Sequence, residues 1–254
     1  MNDARPLTVL VTGATSGIGA ATARRFAADG ARLVIAARRA DRLGALADEL
    51  AVPAHVLALD VADRAAVVRA VEGLPSEFAA VDVLVNNAGL ALGLEPAHKA
   101  NLDDWERMID TNVKGLVYMA RAVLPGMVAR DRGHVVNIGS VAGSYPYPGG
   151  NVYGGTKAFV AQFSLNLRAD LLGTRVRVTS IEPGMTETEF AQVRFKGDAA
   201  AASKVYAGAE PMSAADIAEV IHTVCALPAH INVNRLEVMP VCQAFSPFAV
   251  HRGG

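Results

Sequence analysis

Short aliphatic runs alternate along the chain with longer segments in which apolar residues recur at helical spacing. The runs predict buried parallel strands at 7–12, 32–37, 55–60, 81–86, 134–139 and 175–181, with a weaker seventh at 236–241. The periodic segments predict helices at 18–29, 42–50, 65–71, 102–129, 153–171 and 214–227. Because crossovers between parallel strands are right-handed, this alternation predicts a doubly wound α/β fold, with a seven-stranded parallel sheet and helices on both faces.

One stretch, at about residues 184–210, interrupts this alternation, and it is polar and rich in alanine. We interpret it as a helical lid over the ligand site. No repeat, low-complexity segment or linker divides the rest of the chain. With 254 residues, of which 52% are hydrophobic, we expect a single dinucleotide-binding catalytic domain over residues 1–254.

Charge and cysteine content indicate the cellular compartment of the protein and the class of its binding partners. The net charge is −1 and no basic run occurs, which argues against binding to nucleic acid or anionic lipid. Two cysteines, Cys225 and Cys242, suit neither a disulfide framework nor a metal site. The first residues lack the apolar core of an export signal, and no run reaches the ~18 apolar residues of a membrane span. We therefore expect a cytoplasmic protein that acts on a small molecule.

The first strand ends in a glycine-rich turn, TGATSGIG, that opens the first helix. Gly13, Gly17 and Gly19 leave backbone N–H groups and the helix N-terminus free to meet a pyrophosphate, which predicts a dinucleotide site. At the end of the second strand, where an acid usually binds the ribose 2′-hydroxyl of NAD, the chain has Arg38 and Arg39. Two guanidiniums without an acid favour a 2′-phosphate, so the expected cofactor is NADP.

Tyr153 and Lys157 stand four apart in a predicted helix, and Ser140 follows the fifth predicted strand. Residues four apart lie on one helix face, so the phenol and the ammonium can converge on one substrate. A phenol with an ordinary pKa near ~10 needs a neighbouring cation to exchange a proton near neutrality, and Lys157 is placed to be that cation. Ser140 would hold and polarise the substrate oxygen. The trio predicts a dehydrogenase in which Tyr153 moves the proton while a hydride leaves or joins the alcohol carbon.

These motifs resemble, in type and order, the short-chain dehydrogenase/reductase family over nearly the whole chain. Longer runs, including NIGSVAGSYPYPGGNVYGGTKAF and PAHINVNRLEVMPV, are similar to the NADP-dependent 3-hydroxy acid dehydrogenases. Members of that subgroup oxidise serine and L-allo-threonine and reduce malonic semialdehyde. The resemblance implies a Rossmann-type fold and a homotetramer that assembles through the helices at 102–129 and 153–171.

The resemblance also implies individual site residues. Asp60 and Val61 would contact the adenine, Asn87 the cofactor ribose, and the segment 183–190 the nicotinamide. Asn112 would anchor a water that connects Lys157 with solvent, although an Asn inside a helix could equally be a packing residue. The candidate catalytic residues are Ser140, Tyr153, Lys157 and Asn112. The candidate cofactor-binding residues are Gly13, Thr15, Ser16, Gly17, Ile18, Gly19, Arg38, Arg39, Asp60, Val61, Asn87, Ala88, Gly89, Tyr153, Lys157, Pro183, Gly184 and Thr188.

A hydroxy-acid substrate needs a cation for its carboxylate, ideally an arginine that forms two hydrogen bonds. Arg194 in the lid is the candidate, with Lys196 nearby, and Tyr145 and Tyr147 are candidates for the pocket wall beside Ser140. A solvent-exposed lid charge is the alternative interpretation of Arg194.

Two other functions fit the same motifs. The catalytic trio also allows a reductase of another ketone, sugar or acyl substrate. A non-enzymatic NADP sensor is a second alternative, and the intact Tyr153 argues against it. No metal is expected, because the histidines show no ligand spacing: His55, His98, His134, His222, His230 and His251.

Overall fold

A computed structural model describes residues 5–244, and its centre is a seven-stranded parallel sheet. The strand order is β3-β2-β1-β4-β5-β6-β9, and β7 pairs with β8 in a separate two-stranded ladder. In chain order the strands are β1 (Thr8–Thr12), β2 (Arg32–Ala37), β3 (Ala54–Ala58), β4 (Val83–Asn86), β5 (Gly133–Ile138), β6 (Val176–Pro183), β7 (Thr186–Glu187), β8 (Met212–Ser213) and β9 (Arg235–Val238). The predicted fold class is confirmed. All seven predicted strands lie in the sheet, with ends that differ from prediction by up to three residues.

Helices cover both faces of the sheet. They are α1 (Gly17–Ala28), α2 (Ala40–Glu49), α3 (Arg64–Glu72), α4 (Leu102–Ile109), α5 (Leu116–Ala129), α6 (Asn151–Asp170), α7 (Phe190–Arg194), α8 (Ala199–Lys204) and α9 (Ala214–Ala226). Buried residues of α1, α2 and α9 form one core cluster, and those of α3, α5 and α6 form another. None of the helices within residues 5–244 is long and apolar enough to cross a lipid bilayer.

The central strand β1 shows why the chain has two cores. Successive side chains of a strand point to opposite faces of its sheet. Accordingly, Val9 and Val11 pack with Phe26 of α1, whereas Leu10 packs with Met119 of α5. Because both faces are covered, every residue of β1 is buried. The aliphatic runs of the sequence therefore lack polar alternation.

The helix predicted at 102–129 is interrupted. Its first part, α4, ends at Ile109, and a π-helical turn over Asp110–Gly115 leads into α5. Asn112 lies within this turn, and its side chain bonds the loop after β4 and helix α6 instead of facing solvent. Hydrophobic periodicity cannot reveal such a turn, because the segments on either side keep their helical spacing.

The stretch at 184–210 contains β7, α7 and α8. Helix α7 places the Phe190 ring 5.6 Å, centroid to centroid, from the ring of Tyr153 in α6. Lys196, just after α7, forms an ion pair of 2.7 Å with Asp104 of α4. The segment therefore packs against Tyr153 at one point and forms an ion pair with α4 at another.

Candidate active site

A cleft of about 360 Å³ opens at the carboxyl ends of strands β1 to β6. The strand order reverses between β1 and β4, which is where a doubly wound sheet forms a ligand crevice. Most of the predicted cofactor and catalytic residues line this cleft: Gly13, Thr15, Ser16, Gly17, Ile18, Arg38, Arg39, Asp60, Val61, Asn87, Ala88, Gly89, Ser140, Tyr153, Lys157, Pro183, Gly184 and Thr188. Gly19, Asn112, Tyr145 and Arg194 are not among its lining residues.

The glycine turn is held in shape by polar groups from the neighbouring strand. The Thr12 hydroxyl accepts hydrogen bonds of 3.0 Å from the backbone N–H groups of Asn87 and Ala88. The Asn87 amide donates to the Thr12 carbonyl oxygen at 2.9 Å. At Gly19 a Cβ atom would lie 2.4 Å from the Gly13 carbonyl oxygen, so this glycine permits close packing of helix and turn. Part of what the motif encodes is therefore structural support under the cofactor site.

The turn also presents an anion site. Gly13 and Gly17 have φ angles of +66° and +51°, which favour glycine, so the backbone faces the cleft without side chains. Ser16 is the N-cap of α1, and within the described residues its side chain makes no capping hydrogen bond. The first-turn N–H groups of α1 are thus available to a phosphate.

Two arginines stand at the end of β2, and both line the cleft. Arg39 donates hydrogen bonds to the hydroxyls of Thr15 at 2.8 Å and Ser16 at 3.3 Å, which joins the end of β2 to the glycine turn. The residues directly at the end of this strand, Ala37, Arg38 and Arg39, include no carboxylate. Cations, hydroxyls and a helix N-terminus form a donor set that fits a dinucleotide carrying a 2′-phosphate.

Ser140, Tyr153 and Lys157 meet at the opposite end of the cleft. Ser140 caps the turn after β5, accepting a hydrogen bond of 3.1 Å from the Ala142 N–H, and its hydroxyl acts to lower the pKa of the Tyr153 phenol. The Lys157 ammonium donates to the Ile138 carbonyl oxygen at 2.7 Å and lies 5.8 Å from the centroid of the Tyr153 ring. Tyr153 is 8% exposed and Lys157 is 6% exposed. The three predicted catalytic groups therefore share one largely dry pocket.

Burial is the largest influence on the pKa of both ionisable groups. It raises the pKa of Tyr153 to about 12 and lowers the pKa of Lys157 to about 8. For Tyr153, the Ser140 hydrogen bond and the charge of Arg194 act the other way and lower the pKa, whereas Tyr147 raises it. The sequence predicted Lys157 as the cation that lowers the pKa of Tyr153. In this structure Arg194, which lies over the phenol ring, lowers that pKa, and the role of Lys157 stays a prediction.

Asn112 lies behind the catalytic trio and is 2% exposed. Its amide nitrogen donates to the Leu90 carbonyl oxygen at 2.8 Å and to the Thr156 hydroxyl at 3.0 Å. Its amide oxygen accepts from the Leu90 N–H at 2.8 Å. These bonds join the π-helical turn, the loop after β4 and helix α6. They give Asn112 a packing role at this position, beside the water-anchoring role that the family resemblance implies.

Arg194 is directed at two tyrosines. Its guanidinium carbon lies 5.4 Å from the ring centroids of both Tyr147 and Tyr153, and it donates a hydrogen bond to the Tyr147 hydroxyl. The Nε–H of Arg194 is buried and has no hydrogen-bond partner among the described residues. A buried charged donor without an acceptor is costly, and a carboxylate beside Arg194 could accept a hydrogen bond from this N–H group.

Two of the other predicted substrate residues, Tyr145 and Lys196, do not line the cleft and contact carboxylates outside it. Tyr145 was expected at the substrate, but it does not line the cleft, and its hydroxyl bonds a carboxylate oxygen of Glu237 at 3.2 Å. The Tyr145 hydroxyl thus faces Glu237 of β9, whereas the Tyr147 hydroxyl accepts a hydrogen bond from Arg194 of α7. Lys196 pairs with Asp104 of α4. Arg194 instead lies over the Tyr153 ring and donates a hydrogen bond to Tyr147.

Several cleft residues carried no chemical signal in the sequence. Most are apolar or small residues at strand ends and in loops: Leu59, Leu90, Thr111, Ile138, Gly139 and Val193. Their positions after strands could have been noted, but nothing in their type indicates a ligand. Among residues 5–244 no group of three His, Cys, Asp or Glu side chains could hold a metal ion. His251, one of the six histidines considered above, lies outside the described residues.

Comparison with known proteins shows similarity to dehydrogenases over most of the chain. The family model described as short chain dehydrogenase matches residues 7–199. The NADP-dependent 3-hydroxy acid dehydrogenase YdfG of Salmonella typhimurium is 59% identical over 245 residues, which cover 96% of this chain and 99% of that protein. The serine 3-dehydrogenase of Rhizobium radiobacter is 54% identical over 96% of this chain and 98% of its own. A solved structure, the closed form of serine dehydrogenase complexed with NADP+, has a TM-score of 0.95 at 57% identity and covers 96% of this chain and 99% of its own.

Proposed function

The chain belongs to the short chain dehydrogenase family, and on that premise we propose that it is an NADP-dependent oxidoreductase of small 3-hydroxy acids. The substrates we propose are serine, L-allo-threonine and the pair 3-hydroxypropionate and malonic semialdehyde. The names of the similar proteins support this class of reaction. The side chains of the cleft support the cofactor independently, and Arg194, which contacts Tyr153 of the cleft, supports the substrate class.

The position of Arg194 carries the proposed substrate class. Its guanidinium lies over the ring of Tyr153, and its buried Nε–H lacks an acceptor. A carboxylate bound there would satisfy this donor through a charge-assisted pair. A hydroxyl two carbons away would then reach Tyr153 and Ser140. Tyr147 accepts a hydrogen bond from Arg194 and so helps to fix the direction of the guanidinium.

The cofactor proposal rests on the other end of the cleft. Arg38 and Arg39 would hold a 2′-phosphate, and the glycine turn with the N-terminus of α1 would hold the pyrophosphate. Asp60 and Val61, which follow β3, and Asn87, which follows β4, also line the cleft. We assign the adenine and the ribose to them on the family resemblance.

In the oxidative direction Tyr153 accepts the hydroxyl proton as the C–H hydride departs, and in reduction it returns that proton. When bound, oxidised NADP accepts the hydride at nicotinamide C4 and adds a positive charge to the pocket. Ser140 holds the substrate oxygen, whose charge changes during the transfer. Lys157 holds a positive charge close to the phenol in its protonated form and passes protons toward the Asn112 region. Burial keeps bulk water from competing for these groups.

A substrate and cofactor screen tests the proposal. The rate of NADPH formation by the purified protein would be measured at alkaline pH with L-serine, L-allo-threonine, 3-hydroxypropionate and 2-butanol, and repeated with NAD. We expect activity on the hydroxy acids that prefers NADP. Activity on 2-butanol alone would leave the reaction class intact and reject the hydroxy acids.

Arg194 can be tested against a matched neighbour. For Arg194→Met we expect kcat/KM for L-serine to fall about 10- to 100-fold, because a charge-assisted pair with the carboxylate is lost. The value for 2-butanol, compared at the plateau of each pH profile, should change much less. Lys196→Met removes a lid cation two residues away that pairs with Asp104, and it should leave both values close to wild type. An unchanged KM for L-serine in Arg194→Met would reject the carboxylate site.

A reductase of another ketone, sugar or acyl substrate is the alternative within the same family. Its catalytic trio would be the same, so the screen above decides between them. A non-enzymatic NADP sensor would show cofactor binding without turnover of any alcohol or carbonyl compound. The presence of Ser140, Tyr153 and Lys157 together in the cleft, with Tyr153 and Lys157 buried, favours an enzyme over a sensor.

We further propose that residues 1–254 form one catalytic domain with a lid at about 184–210, and that the protein is a cytoplasmic homotetramer. Free cysteines are consistent with a reducing compartment. Apolar side chains exposed on or beside α5 and α6 support association through these helices: Val128, Phe159, Leu165 and Leu172. Light scattering during size-exclusion chromatography measures the mass directly, and a mass near one or two subunits would reject the tetramer.

A further inference from the structure

A carboxylate lies among the arginines at the phosphate end of the cleft. Glu189 precedes helix α7, and both of its oxygens contact Arg42, at 3.2 and 3.1 Å. One of them also lies 3.8 Å from Arg39. Arg39 and Glu189 both line the cleft, whereas Arg42 is set back in α2. The three side chains are 43–45% exposed, so solvent and ligands can reach them.

The same arginine serves two partners. One nitrogen of Arg39 donates to Thr15 and Ser16 at the glycine turn, and the other faces Glu189. A phosphate bound between Arg39 and these hydroxyls would therefore lie within a few ångströms of the Glu189 carboxylate. Two anions at such a distance repel each other even in a partly hydrated site, and both draw on the same guanidinium.

We propose that Glu189 is an affinity-determining residue that competes with the 2′-phosphate of the cofactor for Arg39. Arg42 holds the carboxylate at the edge of the phosphate site. Glu189 therefore weakens binding of the phosphorylated cofactor and favours its release after turnover. This inference rests on the proposed NADP dependence. It extends that proposal to a residue whose charge is opposite to the one expected at a phosphate site.

The opposite role is physically possible and predicts the opposite result. If Glu189 mainly orients Arg39 and Arg42 for the phosphate, removing its charge would disorder them and weaken binding. If Glu189 competes, removing its charge frees Arg39 and strengthens binding. Glu189→Gln keeps the shape of the side chain and its capacity for hydrogen bonds, so the sign of the change in affinity distinguishes the two roles.

Isothermal titration calorimetry with adenosine 2′,5′-bisphosphate and with adenosine 5′-monophosphate measures this without catalysis, because the two ligands differ only in the 2′-phosphate. We expect Glu189→Gln to bind the bisphosphate roughly threefold to tenfold more tightly than wild type, with the affinity for the monophosphate changed less than about twofold. Glu187→Gln is the matched control, since it makes the same charge change two residues away on β7, and it should bind both ligands like wild type.

Bisphosphate binding that is weaker in Glu189→Gln than in wild type, or equal to it, would overturn the inference while leaving NADP dependence intact. A wild-type protein that binds both ligands equally would instead reject the 2′-phosphate site itself, and the inference with it. The thermal midpoints of both variants should stay close to wild type, because exposed ion pairs add little stability.

Discussion

At the residue scale, the catalytic pocket disfavours the charged forms that its chemistry needs. Burial raises the pKa of Tyr153 to about 12, which opposes the phenolate, and lowers the pKa of Lys157 to about 8, which opposes the ammonium. Arg194 and Ser140 act against burial at Tyr153. Arg194 thus acts on the proposed proton acceptor, in addition to its proposed role at the substrate carboxylate.

The effect of Arg194 on Tyr153 can be separated from carboxylate binding by using an alcohol without a carboxylate. Arg194 lowers the pKa of Tyr153, so its removal raises that pKa. The phenolate then forms only at higher pH. For Arg194→Met we expect the pH profile of kcat/KM for 2-butanol oxidation to move to higher pH. The profile of Lys196→Met should coincide with wild type, and coincidence of all three profiles would contradict the prediction.

Lys157 illustrates a functional group that costs stability. Its pKa in the folded protein, about 8, lies below the ordinary value of 10.5, so the folded state binds this proton less tightly than the unfolded chain does. The resulting cost is present below pH 8 and disappears as pH rises toward 10.5. Lys157→Met should abolish activity. Its free energy of unfolding at pH 7 should nevertheless be about 1–2 kcal/mol higher than that of wild type, after allowance for the lost hydrogen bond to the Ile138 carbonyl oxygen. Thermal unfolding at pH 7 and 10 measures this, and a less stable variant at pH 7 would refute it.

At the element scale, the site depends on short irregular pieces that periodicity does not detect. The π-helical turn at Asp110–Gly115 brings Asn112 to the loop after β4, and the 3-10 turn at Val141–Gly143 positions Ser140. Both pack against α6, which carries Tyr153 and Lys157. The sequence predicted the long elements, because these have repeated apolar positions. It did not predict the interruptions, because each depends on a contact with a residue distant in the chain.

Gly143 provides a test of this packing. A Cβ atom at this position would lie 2.8 Å from the Lys157 carbonyl carbon and 2.9 Å from the Ala158 nitrogen, and backbone atoms of a helix cannot readily give way. For Gly143→Ala we expect about 1–3 kcal/mol of destabilisation. We also expect about a 10- to 100-fold loss of kcat, because Ser140 moves relative to Tyr153.

The control for Gly143→Ala is a glycine with open space. At Gly44 in α2 nothing lies within 4 Å of the added Cβ. Gly44→Ala should therefore stabilise the protein by about 0.5–1 kcal/mol through helix propensity, with unchanged kcat. Urea unfolding and steady-state kinetics on the two variants give the comparison. Equal kcat in both would show that the 3-10 turn does not position Ser140.

At the scale of the whole molecule, the sequence predicted the sheet and most of the cofactor cleft because both depend on chain order. Motifs that follow parallel strands must meet at one edge of the sheet. Side-chain direction depends instead on tertiary packing. Tyr145 and Tyr147 are two residues apart, yet one faces Glu237 of β9 and the other faces Arg194 of α7. The approach of Glu189 to Arg39 and Arg42 likewise depends on how the chain before α7 packs beside β2 and α2, and no local pattern marks it.

The buried histidine of β5 links stability of the whole protein to pH. His134 is 2% exposed, its Nε2 contacts the Thr179 hydroxyl at 2.8 Å, and burial lowers its pKa to about 3 from 6.5. Between these values the unfolded chain binds a proton that the folded protein does not, so stability falls as pH drops from 6.5 toward 3.

His134→Gln keeps a donor near Thr179 and removes the titrating group. Between pH 7 and 5 the variant should therefore lose about 1–2 kcal/mol less stability than wild type, whatever its stability at pH 7. Urea unfolding of both proteins at the two pH values, at one protein concentration, isolates the contribution of His134 to the free energy of unfolding. All other titrating groups are the same in the two proteins. An equal loss in both proteins would mean that the imidazole is protonated in the folded state, or reaches water, at pH 5.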